Sequence, residues 1–372
     1  MQGGVGDFTR EIGLALNRLG ATVHVVSSVK AAPAFATPLN AEGGTSLSRD
    51  DRQLALYPVI QRWDSSCWSA IARLLRQTGS QILNVQYQTA GYQMRPAINF
   101  LPWRLRLVKE RPKVVVTFHD LRLPYLFPKA GPLRRWVTKA LIRGSDATIV
   151  TNVEDRIEAE GYGATNLQLF PIGSNVEPQA PPGYDRWEWR ERWGIGPDEV
   201  LLCYFGFLNE SKGAEILLRA LAQLRASGEM TKLLMIGGKV GSSDPSNVAY
   251  LQKVEGLEVS ASFWASDICV LPYRDGVSFR RGTLMAALAH GMPIVSTQPQ
   301  VEDPEIAEGV NMSLAPPNDP EALAVKIHEV ATSEELRRRL ARGAAELAKM
   351  FSWESIAEST LRLYERMLSA SD

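Results

Sequence analysis

Short apolar runs rich in β-branched residues alternate with segments of helical periodicity along nearly the whole chain. No other feature limits the possible folds as much. Strands are predicted at 22–26, 81–85, 113–118, 147–151 and 167–170, and again at 200–205, 232–236, 267–271, 293–296 and 311–314. Helical faces fit between them. Phe8, Ile12, Ala15 and Leu19 lie on one face that stops at Gly20, and Ile216, Leu217, Ala220 and Leu224 repeat the pattern. Such alternation with apolar strands predicts parallel sheets covered on both faces, a doubly wound α/β fold. A length of 372 residues suits two such domains. The Pro-, Gly- and Trp-rich segment 178–198 is the expected linker between an N-terminal domain, 1–177, and a C-terminal domain, 199–350, with 351–372 as a closing helix. Two doubly wound domains in tandem are expected to face each other across a cleft at their strand C-termini, where ligands of such sheets bind.

Composition removes several alternatives. Hydrophobic residues at 45% and charged residues at 22% exclude a disordered chain. Three scattered cysteines cannot form a disulfide framework, and four histidines without Cys-x-x-Cys give no zinc pattern. The longest near-apolar run, 200–208, is too short to cross a bilayer. The first residues show no basic and apolar leader pattern, so a cytoplasmic setting is expected. Lys+Arg and Asp+Glu balance at 41 each, but residues 1–175 hold 21 basic against 13 acidic residues. The basic excess concentrates at 103–143, where Arg104, Arg106, Arg134, Arg135 and Lys139 are interleaved with Trp103, Tyr125, Phe127 and Trp136. That mixture suits an anionic membrane surface, or simply a solvated basic face. No recognition motif accompanies it, so nucleic acid is not an expected partner.

Four loops at strand ends or helix starts carry the polar chemistry. Gly3-Gly4-Val5-Gly6-Asp7 opens the first helix, where small residues admit a close ligand and the helix N-terminus attracts anions. A strand would be expected before it, yet only Met1 and Gln2 precede Gly3. Thr117-Phe118-His119-Asp120 ends an apolar strand. Tyr204-Phe205-Gly206 through Lys212-Gly213 joins a strand to a helix, and a Lys at a helix N-terminus is unfavourable unless an anion joins it. Asp275-Gly276-Val277-Ser278-Phe279-Arg280-Arg281-Gly282-Thr283 brings two guanidinium groups and free backbone amides to another helix start, and arginine forks match phosphate oxygens.

These loops, in this order, resemble the retaining glycosyltransferases of family four, which have the GT-B fold. The resemblance runs through GGVGDFTREIGLALNRLGATVHVV, VVVTFHD, FGFLNESKGAEILLRAL and SDICVLPYRDGVSFRRGTLMAALAHGMPIVST, and FSWESIAESTLRLYERML is similar to a helix that crosses back to the first domain. It implies transfer of a sugar from a nucleotide diphosphate sugar to a hydroxyl of a glycan or lipid-linked acceptor, with retention, without a cofactor. No Asp-x-Asp occurs, so a metal-independent reaction is implied. Catalytic roles are implied for His119, Lys212 and Asp275. Donor binding is implied for Gly3, Gly4, Gly206, Lys212, Ser278, Phe279, Arg280 and Thr283. Asp275 and Thr283 stand where the family has the two Glu of E-x7-E, and Phe207 where many members have Arg. Arg280 or Arg281 is the expected source of that missing charge. The resemblance also implies shortening at the N-terminus and between Lys239 and Ser266, with little room there for a helix and a following strand. These departures leave a second reading: a non-catalytic relative that binds a nucleotide or a protein partner. The cytoplasmic setting extends to the inner membrane face through 103–143.

Overall fold

The computed structural model describes residues 4–31, 37–38, 45–49, 52–108, 110–121, 131–207, 210–238, 247–252 and 255–370. The chain divides into two compact units, Met1–Ile172 with Trp353–Asp372, and Gly173–Ser352.

The first unit opens with α1 (Gly4–Arg18), whose buried Phe8, Ile12, Ala15 and Leu16 form the apolar face. Gly20, at φ 91°, ends the turn, and β1 (His24–Ser28) begins two residues later than its predicted start. Then come β2 (Thr37–Pro38), β3 (Thr45–Arg49), β4 (Arg52–Ile60), α2 (Ser66–Thr78), β5 (Ile82–Tyr87), α3 (Ala97–Leu105), β6 (Lys113–Phe118), α4 (Gly131–Gly144), β7 (Ala147–Val150), α5 (Val153–Gly161) and β8 (Leu167–Leu169). They form two four-stranded sheets, ordered β1-β4-β3-β2 and β5-β6-β7-β8. The second sheet is parallel throughout. β6 separates two apolar layers: Val114, Val116 and Phe118 pack with Ile71 and Leu101, while Val115 packs with Leu363 and Met367.

Strands β3 and β4 depart from the all-parallel expectation, because they pair antiparallel. No strand was predicted between 26 and 81. β4 buries Leu54 and Leu56 at a period of two, but Pro58 interrupts the run, and a proline lowers any strand signal.

The second unit contains α6 (Arg186–Glu191), β9 (Val200–Phe205), α7 (Ala214–Ala226), β10 (Thr231–Ile236), β11 (Val248–Leu251), α8 (Gly256–Ala265), β12 (Ile268–Leu271), α9 (Gly282–Ala289), β13 (Ile294–Thr297), β14 (Ser313–Ala315), α10 (Pro320–Thr332) and α11 (Glu334–Ala348). Its single six-stranded sheet is parallel and ordered β11-β10-β9-β12-β13-β14. Numbered within the unit, this is the 3-2-1-4-5-6 order of a doubly wound fold, whose switch point lies between β9 and β12. The interval between Lys239 and Ser266, expected to leave little room for a helix and a following strand, does hold the strand, β11, and after it α8. β11 needs only four residues to pair with β10 from Leu233↔Val248 to Ile236↔Leu251.

The 178–198 segment, expected as a linker, is anchored in the second unit. Arg190 is 2% exposed. Its guanidinium donates to Ala265 O at 3.0 Å, to Asp267 at 3.0 Å and to Glu199 O. Arg186 pairs with the same carboxylate at 2.5 Å, and Asp267 accepts from Leu201 N at 2.8 Å, so two ion pairs on one carboxylate join α6 to the starts of β9 and β12.

The chain ends with α12 (Trp353–Ser369), which belongs to the first unit. Ile356 and Ala357 pack with Phe8 and Ile12, and Tyr364 OH accepts from Asn84 Nδ2 at 2.7 Å.

Removing one partner of a buried ion pair leaves the other charge uncompensated, which costs about 3–5 kcal/mol. Asp267 keeps 23% exposure and a second partner in Arg186 at 2.5 Å, so Arg190→Ala is expected to cost somewhat less than that range, about 2 kcal/mol. Urea unfolding that shows no change in the midpoint would refute the anchoring role of Arg190.

Candidate active site

In the second unit the loops after β9 and β12 meet at the switch point. Gly213 caps α7 with φ 64°, and a Cβ there would lie 2.1 Å from Pro272 O, so only glycine lets the two loops touch. Gly206 has φ 138°, and its absent Cβ would fall 2.4 Å from Lys212 Nζ and 3.0 Å from Thr283 Cγ2. Gly206, Lys212 and Thr283 therefore converge. Tyr273 OH bonds Thr283 Oγ1 at 2.7 Å, and the Arg281 guanidinium lies 4.8 Å from the Tyr273 ring centroid.

The charges in this corner are close and half-buried. Asp275 pairs with Arg280 at 3.1 Å and also with Arg281, which holds both forks on one side of the loop. Lys212, Arg280 and Arg281 against Asp275 leave a net charge of +2. Burial, and next the Arg281 guanidinium, lower the Lys212 pKa to about 8. Neither α7 nor α9 has a side-chain N-cap; Ile216 N and Leu284 N bond back to Gly213 O and Arg281 O at 2.9 Å, so the first two amides of each helix are the ones left to a ligand at adjoining strand ends. This corner can neutralise two negative charges and bond several anionic oxygens.

Two sequence-predicted residues serve other ends here. Phe279 is 5% exposed and packs on Phe351 at 4.7 Å, so its side chain anchors the loop while only its backbone remains for a ligand. The carboxylate of Asp275 is engaged by the two guanidinium groups. Ser278 O accepts from Arg281 N at 3.2 Å, and its Oγ is buried without a hydrogen-bond partner among the described residues. Tyr273 was missed, although Leu271-Pro272 ahead of it marks a strand's end.

In the first unit His119 follows β6. Its N–H donates to Tyr87 O at 3.1 Å, and Phe8 packs edge-on at 4.6 Å between ring centroids. Nε2 lies 2.9 Å from Gln86 Oε1; a carboxamide oxygen only accepts, so Nε2 carries the proton. Burial lowers the His119 pKa to about 4, which keeps the ring neutral at physiological pH. Gln86 was not foreseen, because only strand pairing places it beside His119. Gly4 is the exposed first residue of α1 with nothing within 4 Å of its missing Cβ, and Gly3 lies outside the described residues.

The basic segment forms a surface on α3 and α4. Trp103 Nε1 donates to Ala140 O at 2.7 Å, and Arg106 stacks 4.5 Å from the Trp103 ring centroid. Leu107, Leu133 and Trp136 are 78%, 63% and 58% exposed. Tyr125 and Phe127 lie outside the described residues.

Residues 199–333, which contain this cationic corner, match the family described as Glycosyl transferases group 1. Residues 3–173 match the Glycosyl transferase 4-like domain. Two glycosyl transferase family models thus account for most of the chain, one in each compact unit. A curated relative, the D-inositol 3-phosphate glycosyltransferase of Corynebacterium jeikeium, is 26% identical over 257 residues, 63% of this chain and 60% of that protein. The chain thus matches less than two thirds of that relative's length. Sucrose-phosphate synthase from Thermosynechococcus elongatus has the same fold, with a TM-score of 0.74 at 20% identity over 99% of this chain and 94% of that one. Anabaena Alr3699/HepE, solved in complex with UDP and glucose, gives 0.61 at 17% identity over 79% and 80%. These two likenesses concern the GT-B fold.

The lowered Lys212 pKa has a stability consequence for this chain. The unfolded chain binds this proton more tightly than the folded chain, so stability rises as pH climbs from about 8 to 10.5. Below that window the ammonium opposes folding. Lys212→Met is therefore expected to raise the thermal midpoint at pH 7, with the gap to wild type shrinking above pH 8. A lower midpoint at pH 7 would contradict the burial of the charge.

Proposed function

We propose that this chain transfers a sugar from a nucleotide diphosphate sugar to a hydroxyl acceptor with retention. The observation that carries the reading is the net-positive corner of Lys212, Arg280 and Arg281 beside two uncapped helix starts at the switch point. A diphosphate brings about the opposite charge. As the sugar–oxygen bond breaks, negative charge grows on the leaving phosphate, and preorganised cations and amides stabilise that state more than the ground state. The acceptor hydroxyl attacks from the face the phosphate leaves, and the phosphate takes its proton. Neutral His119 serves as a hydrogen-bonding and dipolar group toward the sugar rather than as an acid. Thr283 and Tyr273 offer hydroxyls to the nucleotide side, Ser278, Phe279 and Gly206 backbone to the phosphates, and Gly4 an open approach. Asp275 acts by positioning the guanidinium groups. Since the side-chain cations supply the neutralisation, the reaction proceeds without a metal. The UDP and glucose in Alr3699/HepE support a uridine donor as the first to try.

One donor of this kind contributes about 3–4 kcal/mol to the barrier. In an assay with UDP-glucose and a polyol acceptor in EDTA, Lys212→Ala is expected to lower kcat by about a hundredfold or more. A loss below about fivefold would remove Lys212 from the mechanism. Absence of transfer by the unaltered chain across nucleotide sugars would favour a binding-only role.

The α3–α4 surface supports a lipid-linked acceptor at an anionic membrane, since large apolar side chains and cations share one exposed face. Among the described residues no helix is long and apolar enough to cross a membrane, so attachment would be peripheral, at the cytoplasmic face. Binding to phosphatidylglycerol vesicles is expected at low salt, to weaken as salt rises, and to fall in Trp136→Ser. No binding at low salt would end the idea.

A further inference from the structure

His119 and Gln86 come from neighbouring strands, and the register of those strands makes them meet. β5 and β6 pair in parallel with Gln86 opposite Thr117. His119 lies two residues beyond Thr117, so both side chains leave the sheet on the same face. On that face Thr117 Oγ1 donates to Asn84 Oδ1 at 2.9 Å, and Asn84 Nδ2 donates to Tyr364 OH of α12. The backbone is held on both sides of the contact. Tyr92 OH donates to Gln86 O at 2.9 Å, and His119 N donates to Tyr87 O at 3.1 Å. Buried Phe8 meets the imidazole edge-on, and Trp353 backs Phe8 at 5.3 Å between ring centroids.

Gln86 thereby decides where the imidazole proton sits. Its Oε1 only accepts, so the 2.9 Å contact with Nε2 is a bond in the Nε2–H form alone. The other tautomer would set two lone pairs against each other. A half-turn of the ring would present a C–H and leave the oxygen without its donor. With the proton on Nε2, Nδ1 carries a lone pair, and it has no hydrogen-bond partner among the described residues. Nδ1 can therefore accept from a hydroxyl but has no proton to offer a phosphate oxygen. The side chains packed on the ring, Phe8 from α1 and Gln86 from β5, are both uncharged. None of the carboxylates flanking them, Asp7 and Glu11 on α1 and Asp120 beside the ring, shifts its titration, which burial alone lowers.

We propose that Gln86 is a positioning residue, which locks His119 in the Nε2–H form so that Nδ1 accepts a hydrogen bond from a hydroxyl of the sugar or of the acceptor. The hydroxyl contact rests on the transferase reading above; the placement of the proton does not. A carboxamide suits this task where a carboxylate would not. A carboxylate at the same distance favours the imidazolium, whose Nδ1 is protonated and can accept nothing.

Proton–nitrogen correlation spectra of the full chain, labelled on its histidine nitrogens, report which ring nitrogen is protonated. His119→Asn identifies the signal among the four histidines. At neutral pH the unaltered chain is expected to show Nε2 protonated and Nδ1 bare, and Gln86→Met a mixture of tautomers. Gln86→Glu is expected to raise the His119 titration midpoint by about one to three pH units. Its kcat should fall with the same midpoint on the acid side and recover as pH rises, whereas a merely structural role would lower kcat at every pH. UDP-glucose or the polyol acceptor is expected to shift the Nδ1 resonance, and whichever does so supplies the hydroxyl. An Nδ1–H form in the unaltered chain, an unchanged tautomer in Gln86→Met or an unmoved midpoint in Gln86→Glu would overturn the proposal. An Nδ1 resonance that neither compound shifts would overturn the hydroxyl contact. The spectra need no turnover, so an inactive chain would count against the transferase reading and still decide the tautomer.

Discussion

Lys212, Arg280 and Arg281 carry like charges on two adjoining loops, and their repulsion must be balanced for the second unit to hold its shape. Asp275 supplies the balance for two of them. Among the described residues Lys212 has no such carboxylate partner; burial and Arg281 both push its proton off. The corner is thus under electrostatic load, and an anionic ligand relieves it. Binding energy and destabilisation here have one source, which is why a residue central to binding costs the fold stability.

The sheet makes this concentration of charge possible. A parallel strand order that reverses between β9 and β12 sends two consecutive loops apart and leaves a crevice at their strand ends. Gly213 lets the loops touch at Pro272 O, and the Phe279–Phe351 contact pins the second loop from below. Arg190 and Asp267 fix the opposite ends of the same two strands. The functional corner therefore rests on strands held at both ends. In the first unit His119 is set the same way, by strand pairing that delivers Gln86 and Tyr87 to it.

Much of this was legible in the chain. β6 and β9 are continuous apolar runs, and the predicted bounds 113–118 and 200–205 coincide with the observed ones. β4 was not legible, because Pro58 breaks its alternation while tertiary contacts still bury Leu54 and Leu56. The 178–198 segment read as a linker because Pro and Gly dominate it locally. Its attachment depends on Arg190 meeting Asp267, a partner 77 residues away. Tyr273, Arg281 and Gln86 acquire their places from contacts between loops and strands that no local pattern encodes.

The amino-acid sequence alone determined the class of fold and the loops that carry chemistry, because hydrophobic period, glycine and charge at strand ends are local properties set by neighbours along the chain. Only the tertiary structure decided which cations share a corner, which carboxylate holds them and which histidine nitrogen keeps its proton. Those outcomes depend on desolvation and distance between groups far apart in sequence, and neither exists until the chain has packed.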